Sequence, residues 1–341
     1  MNPGSTSTEI GYFEDEKCIN KLLIEHIGQE LPSELSDQEE FRFSLLSEFI
    51  SQYKTLHAIA GRGGPLKPLP GGVYRINKKM ISDYRSEKYA SHSSNLGALL
   101  AHRIAGDKIP AFIIDPVSTD ELLPQAKISG VPGIERKSRC HALNIKYCVR
   151  KASLNINFPP ESTRFIVAHL GSGFSIAAVL GGKIIDVNDA LLGMGPFSLE
   201  RAGALPISGL LDLVFDSVKS KPEIKNLLSK ESGLKGYLRT NDFKEIIRRI
   251  ESDTEAYKIY KAMIHQIVKE IGSMFAVLDG SIHGLILTGG LIKSKVFCKH
   301  LRSNLKFIPR FFVYPGSFEL EALANGVVRA LNGECSIMEY Q

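Results

Sequence analysis

The chain has 341 residues, 43% of them hydrophobic, more apolar mass than one ordinary domain requires, so two domains are expected. Its 42 Lys and Arg against 37 Asp and Glu leave a formal charge of +5, spread without any basic block; neither a nucleic-acid surface nor a membrane surface is indicated. Five cysteines (Cys18, Cys140, Cys148, Cys298, Cys335), odd in number and with no CxxC pair, argue against a disulfide framework and a zinc site and fit a reducing cytosol.

No apolar run is long enough to span a bilayer, and the N-terminus lacks a signal-peptide profile. Met1 is followed at once by the turn Asn2-Pro3-Gly4-Ser5. Residues Glu9 to Phe13 and Lys17 to Leu23 then read as a hairpin around Glu14-Asp15-Glu16, and helix-favouring polar sequence runs to about Tyr53. The run His57 to Ala60 enters a Gly/Pro-rich segment, Gly61 to Ile76, whose composition speaks for a shaped loop and against any regular element. A helix is expected from Asn95 to Ile104, a buried strand from Ile109 to Ile114, and a helix from Arg136 to Val149.

Pro159-Pro160 marks a boundary, giving domains of 1–158 and 159–341. The second opens with the strand Arg164 to Ala168 and continues, through HLGSGFSIAAVLGGKIIDV, as strand, Gly-rich turn, strand, Gly-Gly hairpin, strand. Helices dominate from Gly209 to Asp279 with a Gly-rich break at Gly233 to Gly236. A buried strand, Gly284 to Thr288, ends in Gly289-Gly290, and Glu319 to Leu331 is a closing helix that is expected to pack back on the first domain.

Asn2-Pro3-Gly4-Ser5 and His169-Leu170-Gly171-Ser172 share a pattern about half a chain-length apart, each followed by small hydroxyl residues and a strand-like run. Gly-Ser pairs are common, but the matching strand-turn-strand context favours an internal duplication. A Gly-rich turn between strands lets backbone N–H groups converge on an anion because no Cβ blocks the approach. Thr288-Gly289-Gly290 lies at the usual place for ligand contact in an open α/β sheet. There is no Walker P-loop and no protein-kinase motif.

Eight segments in order carry a likeness: NPGSTST, GRGGPLKPLPGGVYRIN, SNLGALLA, ISGVPGIERKS, HLGSGFS, GPFSLERAG, LTGGLIKSK and PGSFELEALA. By these the chain resembles, over nearly its whole length, the acetate and butyrate kinase family on its butyrate kinase side, within the acetate kinase, sugar kinase, Hsp70 and actin superfamily. The resemblance implies an α/β fold of two related ribonuclease H-like (actin-like ATPase) domains, mixed sheets flanked by helices, with the nucleotide in the interdomain cleft. It implies reversible phosphorylation of butyrate, or a branched or short-chain carboxylate, by ATP with Mg²⁺, giving an acyl phosphate and ADP in a cytoplasmic homodimer or higher homo-oligomer. Acetate or propionate kinase activity, or a non-catalytic homologue that keeps the fold, are the alternatives.

Carried over residue by residue, the resemblance gives Arg62 as the carboxylate-binding arginine, whose fork suits a carboxylate. Asp115, His141 and Arg201 match catalytic positions, and Asn2 and Glu319 match magnesium-associated ones. His169, Leu170, Gly171, Ser172 and Gly173 would cradle phosphates; Asp242, Lys244, Gly289 and Gly290 would lie by the nucleotide. Read alone, Asp115 before a proline is a turn former, Glu319 a helix N-terminal acid, and Arg201 half of a surface ion pair.

The sequence departs from the family in four places. Family members have a strand before the first Gly-Ser turn, so the first domain is expected to lack its first strand, with the start downstream of the true one or the chain truncated. Glu9 stands where the family has a lysine near the phosphates, which should weaken nucleotide binding by repulsion. Lys244 replaces an arginine. In the acyl pocket Gly64 replaces the valine of acetate kinases, favouring a chain longer than acetate, while Cys140 replaces an aromatic and Leu199 a proline.

Overall fold

The computed structural model describes residues 1–26, 28, 31–32, 34–106 and 108–341. In chain order come β1 (Asn2–Pro3), β2 (Ser7–Glu14), β3 (Lys17–Glu25), α1 (Leu35–Ser51), β4 (Ile59–Arg62), β5 (Val73–Arg75), α2 (Lys78–Arg85), α3 (Asn95–Ala105) and β6 (Ala111–Ile114). Then follow α4 (Pro124–Lys127), α5 (Ala142–Asn155), β7 (Arg164–Leu170), β8 (Phe174–Leu180), β9 (Lys183–Val187), α6 (Ile207–Phe215), α7 (Lys221–Lys230) and α8 (Gly233–Leu238). The remainder is α9 (Phe243–Arg249), α10 (Thr254–Val277), β10 (Gly284–Gly289), α11 (Lys295–Ser303), β11 (Phe311–Pro315), α12 (Glu319–Leu331) and β12 (Ile337–Glu339).

Two compact units result. The first comprises Met1–Asp120, Ala142–Asn144 and Phe318–Gln341; the second comprises Glu121–His141 and Ile145–Ser317. The second unit thus takes in residues well before Pro159-Pro160, and the C-terminal stretch belongs to the first.

In the first unit β1, β2 and β3 form an antiparallel meander, and β12, β5, β6 and β4 form a mixed sheet. Met1 joins them: its nitrogen donates to Ala60 O at 2.7 Å, and Arg62 N donates to Met1 O at 2.9 Å. Asn2–Pro3 and the Met1 main chain thus bridge β2 to β4. Beyond Asn2–Pro3, Ile10–Glu14 pair, among the described residues, with β3 alone. A cavity of about 470 Å³ opens beside them, lined by β2, by His57–Ala60, by Phe49 of α1, by Tyr53 just after it, and by Leu323 and Val327 of α12. The core gathers Leu46, Met80, Tyr84, Leu96, Leu99 and Ile113.

In the second unit the strand order is β11-β10-β7-β8-β9, with β11, β10 and β7 parallel and β7, β8 and β9 antiparallel. β7, β8 and β10 are near-continuous apolar runs and are buried almost throughout, as strands covered on both faces require. Asp253 caps α10 by accepting from Ala256 N, and the buried positions Ile259, Tyr260, Met263, Ile264, Ile267, Ile271 and Met274 keep the helical period. Each such large side chain contributes about 1.5–3 kcal/mol on full burial, so this stripe anchors the unit.

Three sequence expectations need correction. The Gly/Pro-rich segment contains the last two residues of β4 and the three-residue β5, paired antiparallel to β6. Helix α5 starts at Ala142, not Arg136; the Arg136 side chain is instead bound to Ala126 O, Asp186 and Val187 O, which holds that stretch extended from helix. The segment Gly233 to Gly236 is no break: it opens α8, where Gly233 at φ +60° lies against Ser198 O.

Candidate functional site

The first unit assembles Asn2, Arg62 and Glu319. Arg62 ends β4, and its Nη1 donates to Glu319 Oε2 at 2.7 Å and to Asn2 Oδ1 at 3.2 Å. Glu319 begins α12 and is buried, while Phe318 N donates to Asn144 Oδ1 at 2.9 Å and steadies the helix start. Glu9 is the cross-strand partner of Asn2, so an acid stands beside this cluster. Asp115 follows β6 directly at φ +38°, an unusual conformation for a residue with a Cβ, and its N–H donates to Gly72 O at 2.9 Å.

Gly64 has a packing role. A Cβ there would overlap Asn95 Oδ1 at the start of α3, so the missing side chain lets the loop close on the helix and is no measure of acyl room.

In the second unit the turn between β7 and β8 is closed by Gly171 N donating to Gly173 O at 3.3 Å. Beneath it, Ser198 Oγ donates to Ser172 O at 2.6 Å. His141 lies flat on His169, with ring centroids 3.9 Å apart and planes 8° apart. Ser175 orients it: Ser175 Oγ hydrogen-bonds His141 Nδ1 at 2.8 Å and accepts from His141 N at 3.3 Å. Thr288 pairs with His169 in the parallel β10–β7 ladder, and Gly289, at φ +99°, lies against the backbone of Leu170. The second and third Gly-rich segments are thus side by side at the C-terminal ends of two parallel strands.

Arg201 joins the same turn. Its guanidinium donates to Ala190 O and lies where a Cβ on Gly173 would be, so only glycine permits the approach. The loop that carries it is pinned by α8, whose Leu234 N and Lys235 N donate to Ser198 O and Leu199 O at 3.0 and 2.8 Å. Burial lowers the pKa of Arg201, with Glu200 and Asp189 acting in the opposite sense. Leu199 belongs to the apolar core with Phe197, and Cys140 is buried near Ser138. Asp242 is the N-cap of α9 and accepts from Lys244 N at 2.8 Å; Lys244 itself is exposed. That capping duty accounts for Asp242 without any ligand.

Sequence reasoning passed over Ser175, Ser198 and Arg42. The first two stood inside recognised motifs, but only the fold shows which partner each serves. Arg42 had no signal, since a lone arginine in a polar helix reads as solvated.

The acetokinase family model matches residues 127–308 of the chain. Two proteins named probable butyrate kinase, both from Clostridium botulinum, are 43% and 42% identical over 98% of this chain and 96% of their own length. Among solved structures, the acetate kinase of Porphyromonas gingivalis superposes with a TM-score of 0.78 at 19% identity, covering 96% of this chain and 97% of that one. A propionate kinase from Francisella tularensis gives 0.77 at 20% identity, covering 95% and 97%.

Proposed function

The chain belongs to the acetokinase family, and from that premise we propose that it transfers the γ-phosphoryl group of ATP reversibly to butyrate or a similar short-chain carboxylate. The near full-length likeness to probable butyrate kinases carries the choice of substrate; the space at Gly64 does not. Acyl chains one methylene apart differ by only about 1–3 kcal/mol in a pocket, so neighbouring acids are accepted too.

The geometry supports a role for each side chain. Arg62 offers its fork to the carboxylate, in competition with the Glu319 carboxylate that it now holds. The Ser175 hydroxyl holds Nδ1 of the His141 ring, and an imidazole whose Nδ1 accepts carries its proton on Nε2, the donor that an equatorial phosphoryl oxygen would need. Arg201, buried at the turn, would stabilise the same charge, and Asp115 would act as a further polar group at the transfer. The turn from His169 to Gly173, with Gly289 and Gly290 beside it, would present backbone N–H groups to the nucleotide phosphates.

Asn2 Oδ1 and Glu319 Oε2 already converge on one cationic nitrogen, and such a pair of oxygens suits Mg²⁺, which takes few protein ligands and keeps several waters. Bound there, the ion would neutralise phosphate charge. Among the described residues no cluster of three or more His, Cys, Asp or Glu offers another metal seat. We also read the chain as a cytosolic homodimer. All five cysteines are thiols, and among the described residues no helix is long and apolar enough to cross a membrane. Helix α6 has no buried residue and exposes Ile207, Leu211 and Phe215. Such an apolar face is what a second copy would cover.

The test is acyl hydroxamate formation from butyrate, ATP, Mg²⁺ and hydroxylamine. Product with butyrate above acetate and propionate is the expected result. Folded protein that gives none with any of several short acids would overturn the proposal.

A further inference from the structure

Arg62 and Glu319 hold one another within the first unit. Arg62 Nη1 donates to Glu319 Oε2 at 2.7 Å and to Asn2 Oδ1 at 3.2 Å, and the Arg62 and Glu319 side chains are only 22% and 10% exposed. Neither backbone is free to move with its side chain. Arg62 N is tied to Met1 O, and a Cβ on Gly97 would overlap Arg62 O, so α3 lies hard against that residue. Glu319 opens α12, whose first turn favours an acid, and Phe318 N beside it is held by Asn144 Oδ1. An exchange of partners here is therefore an exchange of side chains alone.

Each member of the pair has a second claimant. A substrate carboxylate needs the Arg62 fork, and the cation that accompanies ATP suits the oxygens of Asn2 and Glu319. A carboxylate that arrives alone must push Glu319 off Arg62 and leave that buried acid without a cation, and stripping one partner from such a pair is strongly unfavourable. A cation that arrives alone leaves the guanidinium without its acid in the same way. When both arrive, the charges pair off again: substrate carboxylate with Arg62, Glu319 with the cation. Both internal bonds fall on the single nitrogen Nη1, whereas a carboxylate on a guanidinium fork takes two. The incoming acid therefore has the better geometry once Glu319 is engaged elsewhere.

We propose that the Arg62–Glu319 pair is a coupling latch: Glu319 occupies the place of the substrate carboxylate until it turns to the metal ion, so the two substrates bind with positive cooperativity and neither binds tightly alone. The inference rests on the carboxylate-kinase reading and on the parts that Arg62 and Glu319 take in it. By linkage each ligand tightens the other by the same factor, about tenfold.

The test is calorimetric titration of the full chain with butyrate, in the presence of ADP and Mg²⁺, of ADP with a chelator, and of neither. In the unaltered protein ADP with Mg²⁺ should lower the Kd for butyrate by about tenfold, and ADP with chelator by less than about twofold. Glu319→Gln keeps an acceptor for Arg62 without the charge. It should bind butyrate about tenfold more tightly than the unaltered protein when no metal is present, and gain less than about twofold from ADP and Mg²⁺. A folded Glu319→Gln whose metal-free affinity for butyrate is no better than that of the unaltered protein would reduce the pair to a structural contact and overturn the proposal. If Glu319→Gln does not fold, the unaltered protein decides: a metal-dependent gain supports the latch, and a gain no larger than that with ADP and chelator overturns it. Butyrate bound with one affinity in all three conditions removes the latch and leaves the carboxylate-kinase reading standing. A folded protein that binds no short carboxylate in any of them removes that reading, and the latch with it.

Discussion

The two Gly-Ser turns stand on the same strand pattern but are held by different forces. In the second unit a seven-residue strand, β7, is paired on both sides, so the turn after it hangs from two full ladders in an apolar core. In the first, β1 has two residues and bridges to β4 only through Met1; what steadies that turn is the cluster of Arg42, Thr8 and His26. Ladders and apolar packing respond weakly to charge and pH, whereas a buried cation and an imidazole respond to both. Duplication of a motif therefore does not duplicate its sensitivities.

Substitutions can break that contrast in order of expected size. Arg201→Ala should lower kcat by about a hundredfold with little change in the KM for butyrate, as for loss of a charge-stabilising donor. Hydroxamate kinetics read this, and an unchanged kcat would remove Arg201 from the second turn's chemistry. Gly173→Ala should reproduce part of that loss, about tenfold, because the new methyl displaces the guanidinium. Its counterpart Gly4→Ala meets Ser7 O at an ordinary 3.4 Å and should stay within about twofold. Equal effects at the two glycines would erase the distinction drawn between the turns.

Stability offers a finer comparison. Thr8→Val leaves Arg42 and His26 a partner short in the core, which should cost about 1–3 kcal/mol in urea unfolding. Ser198→Ala, under the second turn, removes one hydrogen bond and should cost about 0.5–1.5 kcal/mol. The smallest effect is in pH. Burial first and Arg42 second hold the His26 imidazole below its ordinary 6.5. The unfolded chain then binds more protons than the fold in the window below 6.5, so stability is full above that value and declines as pH falls through the window. Replacing His26 by Gln should flatten the fall in thermal midpoint between neutral and mildly acid pH.

The strands around both turns were legible because their apolar, β-branched runs stop at glycines. The hairpin β2–β3, β7 to β9, β10 and α12 all lie where the sequence put them, within a few residues. β5 was hidden, since three residues between a Gly-Gly pair and Ile76 carry no period of their own and pair only because β6 is alongside. The start of α5 was misread because Arg136 makes distant bonds that override local helix preference. Long-range closure was invisible as well: β12 pairs in parallel with β5, and the Tyr340 hydroxyl donates to the buried Asp83 at 2.8 Å. The motifs singled out Arg62, Asn2, Glu319, His141 and Arg201 as candidates, but the partners each of them meets in the fold come from other elements. Ser175 on β8, the α8 amides and Arg42 on α1 become visible only when the chain is folded.

The one-sided pairing of β2 from Ile10 to Glu14 also sets a clock. Amides in a strand bonded on both sides exchange with solvent only when a large cooperative segment opens, whereas those facing a gap need only a local fluctuation. β8, flanked by β7 and β9, is of the first kind; the far half of β2, with a cavity where a neighbour strand would lie, is of the second. In deuterium the molecule should therefore label from the β2 side inward, its two related meanders separated by their rates of exchange.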